Sequence, residues 1–316
     1  MYGSHLSIAG GMAGALEQAR RYKFDCVQVF TKNQRQWRVP ALRDDERHAW
    51  LDALGAMKWD AAGGPARVVS HASYLINLAS PVEQTWRASV ELMRHELERC
   101  DALKIPLCVV HPGAHLGETP DPAHPARRDP TRHGGTFTKD EERGMQRVAE
   151  ALDIIHAQLP GAKVVTCLET TVGAGTTLGA TFEQLAFMRA AVRQPERVAF
   201  CLDTCHVTAA GYDMTTPAGA SRVLGRFGRV CGIKLMRVVH VNDSMFPVGS
   251  RRDRHAHIGA GCCGKACFSA ILSAPALRRV PKILETPKGE NARGTAWDLL
   301  NVRRLKRLAR PLAASR

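Results

Sequence analysis

The chain is short of acid. Its 316 residues carry 30 aspartates and glutamates against 44 lysines and arginines, a formal net charge of +14 at pH 7. That imbalance exceeds what solubility needs and favours a polyanionic partner such as nucleic acid over a small neutral substrate. The segment MYGSHLSIAGG has no charged stretch followed by an apolar one, so the protein is expected to be cytoplasmic or nuclear and not secreted. No later apolar run reaches the length of a membrane span, which excludes a membrane protein of the helical kind. The ten cysteines lack a disulfide or zinc-finger pattern. Cys108, Cys167 and Cys201 sit inside apolar runs, and the group Cys262, Cys263 and Cys267 has no CxxC spacing. Such cysteines behave as small buried hydrophobes in a reducing compartment, and the group is assigned no metal. No internal repeat and no second-domain boundary is visible.

What is present is an alternation. Eight short β-branched or apolar runs, near 2–8, 26–31, 67–73, 106–111, 163–169, 197–203, 236–242 and 281–286, read as strands. Eight helical patterns fill the gaps, at 11–22, 44–57, 81–103, 139–159, 181–192, 217–227, 264–272 and 296–312. Alternating βα units imply a parallel sheet, and equal counts make closure into a (β/α)₈ TIM barrel more economical than an open sheet. The length suits one such barrel of about 250 residues with insertions. Ser80-Pro81 and Thr216-Pro217 are expected to cap helices, each a capping residue followed by proline at the first helical position. The stretch 117–140 is rich in proline, glycine and charge without periodicity, and is expected to be a loop insertion. The basic segment 303–316 reads as the last helix and its tail. The expected organisation is therefore a single domain over 1–316.

Nine metal-capable side chains fall at or just after the ends of these apolar runs: His71, His111, Glu169, Asp203, His206, His240, Asp253, His255 and Glu285. In a barrel, active residues gather at the C-terminal ends of the strands, where loops converge. Histidines and carboxylates without a thiolate are the donor mix for zinc or a similar divalent ion. The loop TKNQRQWR sets Lys32, Arg35 and Arg38 beside Trp37, offering phosphate donors next to a stacking surface.

The segments FTKNQRQWR at 30–38, HASYLINLASP at 71–81, VVHPGAH at 109–115, LETTVGAG at 168–175, CLDTCHVTAAGYD at 201–213, VNDSMFPVGSRRDRHAHIG at 241–259 and ILETP at 283–287 together resemble endonuclease IV. This is the zinc-dependent apurinic/apyrimidinic endonuclease family of base excision repair, and the resemblance covers nearly the whole chain. It implies a TIM barrel with three zinc ions, with manganese or iron as alternatives. The implied activity is cleavage of double-stranded DNA 5′ to abasic sites, leaving a 3′-hydroxyl, together with trimming of damaged 3′ ends by a monomer. Carried over by position, it puts His71 and His111 on one ion, His240, Asp203 and Glu285 on a second, and Glu169 between the two. His206, Asp253 and His255 take the third. Metal binding lowers the pKa of water from 15.7 to roughly 7, the chemistry that phosphodiester hydrolysis requires at neutral pH.

The same resemblance sets Arg35, Tyr74 and Leu75 at the DNA surface, wedging the stack as the abasic nucleotide leaves it, a step cheapest where a base is missing. His5 and His115 match family positions near the site and are not expected to be ligands. Two positions depart from the family: Gly259-Ala260-Gly261 stands where the family has Gly-Glu-Gly, and Ala174 replaces a glutamine. Neither is among the nine. A metal-dependent sugar isomerase or epimerase of the same barrel type is the alternative, and a DNA-damage sensor without catalysis is a third. A single-metal isomerase would not need the set His206, Asp253 and His255.

Overall fold

The structure, a computed structural model, describes residues 1–61, 63–118, 130 and 136–309. Most of the expected 117–140 insertion and the tail beyond residue 309 lie outside the described residues.

Eight parallel strands close into a barrel in the order β1-β10-β7-β6-β5-β4-β3-β2. They are β1 (Tyr2–His5), β2 (Cys26–Val29), β3 (Val68–His71), β4 (Leu107–Val110), β5 (Val165–Glu169), β6 (Val198–Asp203), β7 (Met236–His240) and β10 (Lys282–Leu284). Each expected strand is present and each is shorter than expected, because ladder pairing stops where side chains turn to the barrel mouth. Among the described residues the helices are α1 (Met12–Arg21), α2 (Asp44–Ala56), α3 (Glu83–Ala102), α4 (Lys139–Gln158), α5 (Phe182–Ala191), α6 (Thr204–Ala210), α7 (Pro217–Val230), α8 (Gly264–Ser273) and α9 (Trp297–Leu308). None is long and apolar enough to cross a membrane.

Two apolar layers follow from the period-two pattern of the strands. Inward positions, among them Cys26, Val69, Val109, Cys167, Cys201, Val238 and Ile283, fill the barrel. Outward positions such as Val27, Val110, Leu168 and Leu202 pack under the helices with Leu16, Trp50, Met93 and Phe227. All ten cysteines are free and nine are buried, so they serve as core residues. Gly3 has a distinct reason: a Cβ there would lie 1.8 Å from the Cys26 carbonyl oxygen, so only glycine lets β1 and β2 pair as closely as they do.

Capping follows the sequence in part. Thr216 accepts from the Gly219 N–H at 3.1 Å with Pro217 inside the first turn of α7, as expected. Capping boxes at Thr138–Glu141 and Thr181–Gln184 start α4 and α5. Ser80 is a correction. Helix α3 begins at Glu83 behind Val82, with no side-chain cap, and the Ser80 hydroxyl instead accepts from the Val82 N–H at 3.2 Å, closing a turn ahead of the helix. Two elements were not foreseen: the short α6, and an antiparallel ribbon of β8 (Asp243–Ser244) and β9 (His255–Ala256).

Candidate metal centre

Six of the nine candidates stand at the C-terminal mouth of the barrel. His71, Glu169, Asp203 and His240 end β3, β5, β6 and β7, while His111 and Glu285 directly follow β4 and β10. Of the other three, His206 and His255 arrive on the unforeseen elements and Asp253 on the loop that joins β8 to β9. Asp203 is also the N-cap of α6, its Oδ1 accepting from the His206 N–H at 3.0 Å. That bond turns the chain into a helix at the strand end and sets His206 over the mouth. The β8–β9 ribbon folds the following segment back, so that His255 Nε2 lies 3.5 Å from both Asp203 Oδ2 and Asp253 Oδ1.

Glu169, fully buried, is the hub. Its Oε2 lies 3.2 Å from His71 Nε2 and 3.0 Å from His111 Nε2, and its Oε1 lies 2.7 Å from His240 Nδ1 and 3.4 Å from His206 Nδ1. His240 Nδ1 also stands 3.3 Å from Glu285 Oε2 and 3.9 Å from Asp203 Oδ2. His206 Nε2 stands 3.3 Å from Asp253 Oδ2. Donor atoms therefore converge within 4.8 Å in overlapping groups that could hold a cation, three of them without sulfur: His71, His111 and Glu169; Glu169, Asp203, His240 and Glu285; and Asp203, His206 and His255. The Cys205 sulfur falls within the same distance of Asp253 and His255, but its thiol donates to the Arg254 carbonyl at 3.6 Å.

Backbone and amide acceptors set the face each imidazole presents. His71 Nδ1 is 2.8 Å from the Ala72 carbonyl, His206 Nδ1 2.7 Å from that of Thr170, and His255 Nδ1 3.2 Å from that of Glu285. A carbonyl only accepts, so each Nδ1 carries the proton and Nε2 is left for a proton or a cation. The Nε2 atoms of His206 and His255 are buried and face carboxylate oxygens, His206 toward Asp253 and His255 toward Asp203 and Asp253. For His240 the roles reverse: Nε2 donates to Gln28 Oε1 at 2.8 Å and Nδ1 faces the carboxylates. Outer partners that hold ligands in this way are the usual support of a metal site.

Electrostatics agree with a site built for positive charge. Burial alone raises the pKa of Glu169, but the charges of His240 and His111 and their hydrogen bonds outweigh it and hold the carboxyl well below its usual range. Burial depresses His240, yet Glu169 and Glu285 push it up to about 9. His206 is likewise raised well above an ordinary imidazole, burial being outweighed by Asp203 and Asp253. Asp253 is lowered to about 2 against the opposing effect of burial, chiefly through its bond to His206. Imidazolium and carboxylate thus neutralise one another, with protons where a divalent ion would fit.

The expected DNA-facing residues divide. Arg35, Trp37 and Tyr74 are exposed, Tyr74 at 65%. Leu75 is half-buried and packs on the main core. Lys32 is a correction: it is 4% exposed, and its ammonium is turned inward to lie 2.9 Å from Glu96 Oε1. His5 and His115 fall in none of these groups.

Sequence reading missed Gln28, Asn242 and Asp243. Gln28 Nε2 donates to Glu285 Oε1 at 2.6 Å while its Oε1 holds His240. Asn242 donates to Asp203 Oδ2 at 2.7 Å and accepts from the Glu285 N–H at 2.7 Å. The available signal was a polar residue within an apolar run, CVQV and VVHVN. Asp243 accepts from the N–H groups of Gly259, Gly261 and Cys263 at 2.8, 3.0 and 3.0 Å. The loop carrying Ala260 is therefore held through its backbone, independent of the side chain at 260. Likewise the turn at Ala174 is closed by its own carbonyl, which accepts from the Thr177 N–H at 3.1 Å.

A family model described as a xylose isomerase-like TIM barrel matches residues 16–305. A protein of Geobacter sulfurreducens named probable endonuclease 4 is 41% identical over 308 residues, covering 98% of this chain and 94% of the relative. The crystal structure of endonuclease IV from Thermus thermophilus matches with a TM-score of 0.76 at 34% identity, covering 97% of this chain and 98% of that one. A D-tagatose 3-epimerase-like protein matches with a TM-score of 0.65 at 18% identity, covering 97% and 96%; at that identity the likeness is one of fold alone.

Proposed function

The chain belongs to the endonuclease IV family, and on that footing we propose that it hydrolyses the DNA backbone 5′ to abasic nucleotides, leaving a 3′-hydroxyl, with three zinc ions at the barrel mouth. It is a metal-dependent DNA phosphodiesterase. The observation that carries the proposal is Glu169, whose two oxygens face different histidine sets, Oε2 toward His71 and His111 and Oε1 toward His240. A carboxylate so placed can bridge two cations. His71 and His111 would hold the first ion, Asp203, His240 and Glu285 the second, and His206, Asp253 and His255 the third, with Glu169 between the first two.

When bound, such ions lower the pKa of water and neutralise charge on the phosphate and the departing alkoxide. The protein does the rest. Gln28, Asn242 and the carbonyls of Ala72, Thr170 and Glu285 orient the donors, so that little reorganisation is needed when charge develops. His111 and Asp253, with side chains 36% and 46% exposed, form the open edge of the cluster where a phosphate can enter. Arg35, Trp37 and Tyr74 present a cation and two rings at the same end, suited to phosphate contact and to filling the gap left by a flipped nucleotide. A sugar isomerase reading accounts for the barrel but leaves the His206, Asp253 and His255 set without a task.

Metal analysis of the purified protein, paired with incision of a duplex bearing one synthetic abasic site, tests the reading. Three ions per chain and a product whose 3′ end a polymerase extends are expected. One or two ions with no incision would return the protein to the isomerase class.

A further inference from the structure

The two loops that carry the DNA-facing residues are tied together by a side chain outside the metal cluster. Glu96, on α3, is 1% exposed. Its Oε2 accepts from the Thr31 hydroxyl at 2.9 Å, and its Oε1 accepts from the Ser73 backbone N–H at 3.2 Å while lying 2.9 Å from the Lys32 ammonium. Thr31 and Lys32 open the loop after β2, which presents Arg35 and Trp37. Ser73 opens the loop after β3, which presents Tyr74 and Leu75. The Ser73 hydroxyl spans the two, donating to the Gln34 carbonyl at 2.6 Å and accepting from the Leu75 N–H at 3.2 Å. One turn along α3, Arg99 donates to the Thr31 carbonyl from Nε at 3.1 Å and from Nη2 at 2.5 Å, and to the Pro40 carbonyl at 3.2 Å. Both ends of the first loop are thus fastened to the helix that follows the second.

A buried lysine–glutamate pair adds little net stability, because desolvating two charges offsets their attraction and an apolar pair of similar volume does as well. What such a pair supplies here is geometry, since Thr31, Lys32 and Ser73 each lie in one of the two loops. We propose that Glu96 is a positioning residue for DNA engagement, fixing the Arg35–Trp37 and Tyr74–Leu75 loops in one arrangement before substrate arrives. This rests on the reading under which those loops meet DNA. Pre-ordered loops spare the association step the cost of ordering them. Loosened loops therefore weaken binding more than the chemical step, raising KM with kcat nearly unchanged.

The test uses Glu96→Gln in the full-length, metal-loaded protein with an abasic duplex. The amide keeps the shape but strands the Lys32 charge. KM is expected to rise about tenfold with kcat within about threefold of the parent and metal content unchanged. Adding Lys32→Met removes the stranded ammonium, so the melting temperature recovers while KM stays high. Ser73→Ala leaves the buried pair whole and cuts the tie to Gln34 together with the turn bond from the Leu75 N–H; a KM about threefold higher at an unchanged melting temperature is expected, and this variant decides the matter if Glu96→Gln does not fold. An unchanged KM in folded Glu96→Gln, or a KM that returns to the parent value together with the melting temperature in the double variant, would overturn the proposal by reducing Glu96 to a stability element. A parent protein that leaves abasic duplex intact would instead overturn the nuclease reading, and the inference with it.

Discussion

At the scale of single residues, the cluster works by sharing. Glu169 serves two histidine sets from its two oxygens, and among the described residues no other acid faces both sets. Glu169→Gln keeps the volume but cannot bridge, and incision should fall by more than the roughly 10–100-fold typical of losing a ligand's outer partner, with abasic DNA still bound. Full activity in a metal-loaded Glu169→Gln protein would remove the bridge from the mechanism. Tyr74 and Leu75, adjacent in sequence, differ in burial and so in expected behaviour. Tyr74 is 65% exposed, so Tyr74→Ala should change stability by less than about 0.5 kcal/mol while lowering incision. Leu75 packs on the core, so Leu75→Ala should cost about 1–2 kcal/mol as well. Thermal denaturation alongside an incision assay separates the two; equal losses of stability would mean that Tyr74 is also a packing residue.

At the scale of elements, Asp203 joins strand, helix and site. It ends β6, caps α6 through Oδ1, and offers Oδ2 to His255 and Asn242. Asparagine caps helices as well as aspartate, whereas alanine forfeits about 0.5–2 kcal/mol. Metal-free Asp203→Asn should therefore melt above metal-free Asp203→Ala, yet both should lose bound metal and activity. Identical melting temperatures would show that the cap contributes nothing to α6. The helix was illegible in sequence for a related reason. Residues 204–210 span two turns, too short for a helical period to declare itself. The ribbon that brings in His255 pairs only two residues per strand, below any alternation signal.

At the scale of the whole molecule, charge and protons govern metal and DNA. His240, held near 9 in the protein without metal, is protonated at pH 7, so loading a cation must expel that proton. Adding zinc to metal-free protein in weak buffer at pH 7 should acidify the solution, and affinity should fall with falling pH. Binding without proton release would contradict the place of His240 in the cluster. The raised pKa also fixes a sign for the metal-free protein. An imidazole whose pKa exceeds its unfolded value of about 6.5 stabilises fully below that value, and the stabilisation is lost as pH rises through about 9. With a net charge of +14, binding to duplex should weaken with salt, each neutralised phosphate contributing a slope of about −0.9 in log K against log salt. A binding constant that stays flat from roughly 50 to 200 mM salt would count against a phosphate-tracking face.

The amino-acid sequence by itself determined the barrel and showed which side chains could serve as donors. Both are carried by local pattern: apolar runs of strand length alternating with helical periods, and histidines and acids at the ends of those runs. Tertiary structure decided which side chains share an atom and which point inward. Lys32 and Arg35 are three residues apart in one basic loop, yet the first is buried on Glu96 and the second is exposed. Gln28 and Glu285 are 257 residues apart and lie 2.6 Å from one another. Contacts of that kind depend on barrel closure, which sets β1 beside both β2 and β10, and no local period in the chain encodes the partner that closure supplies.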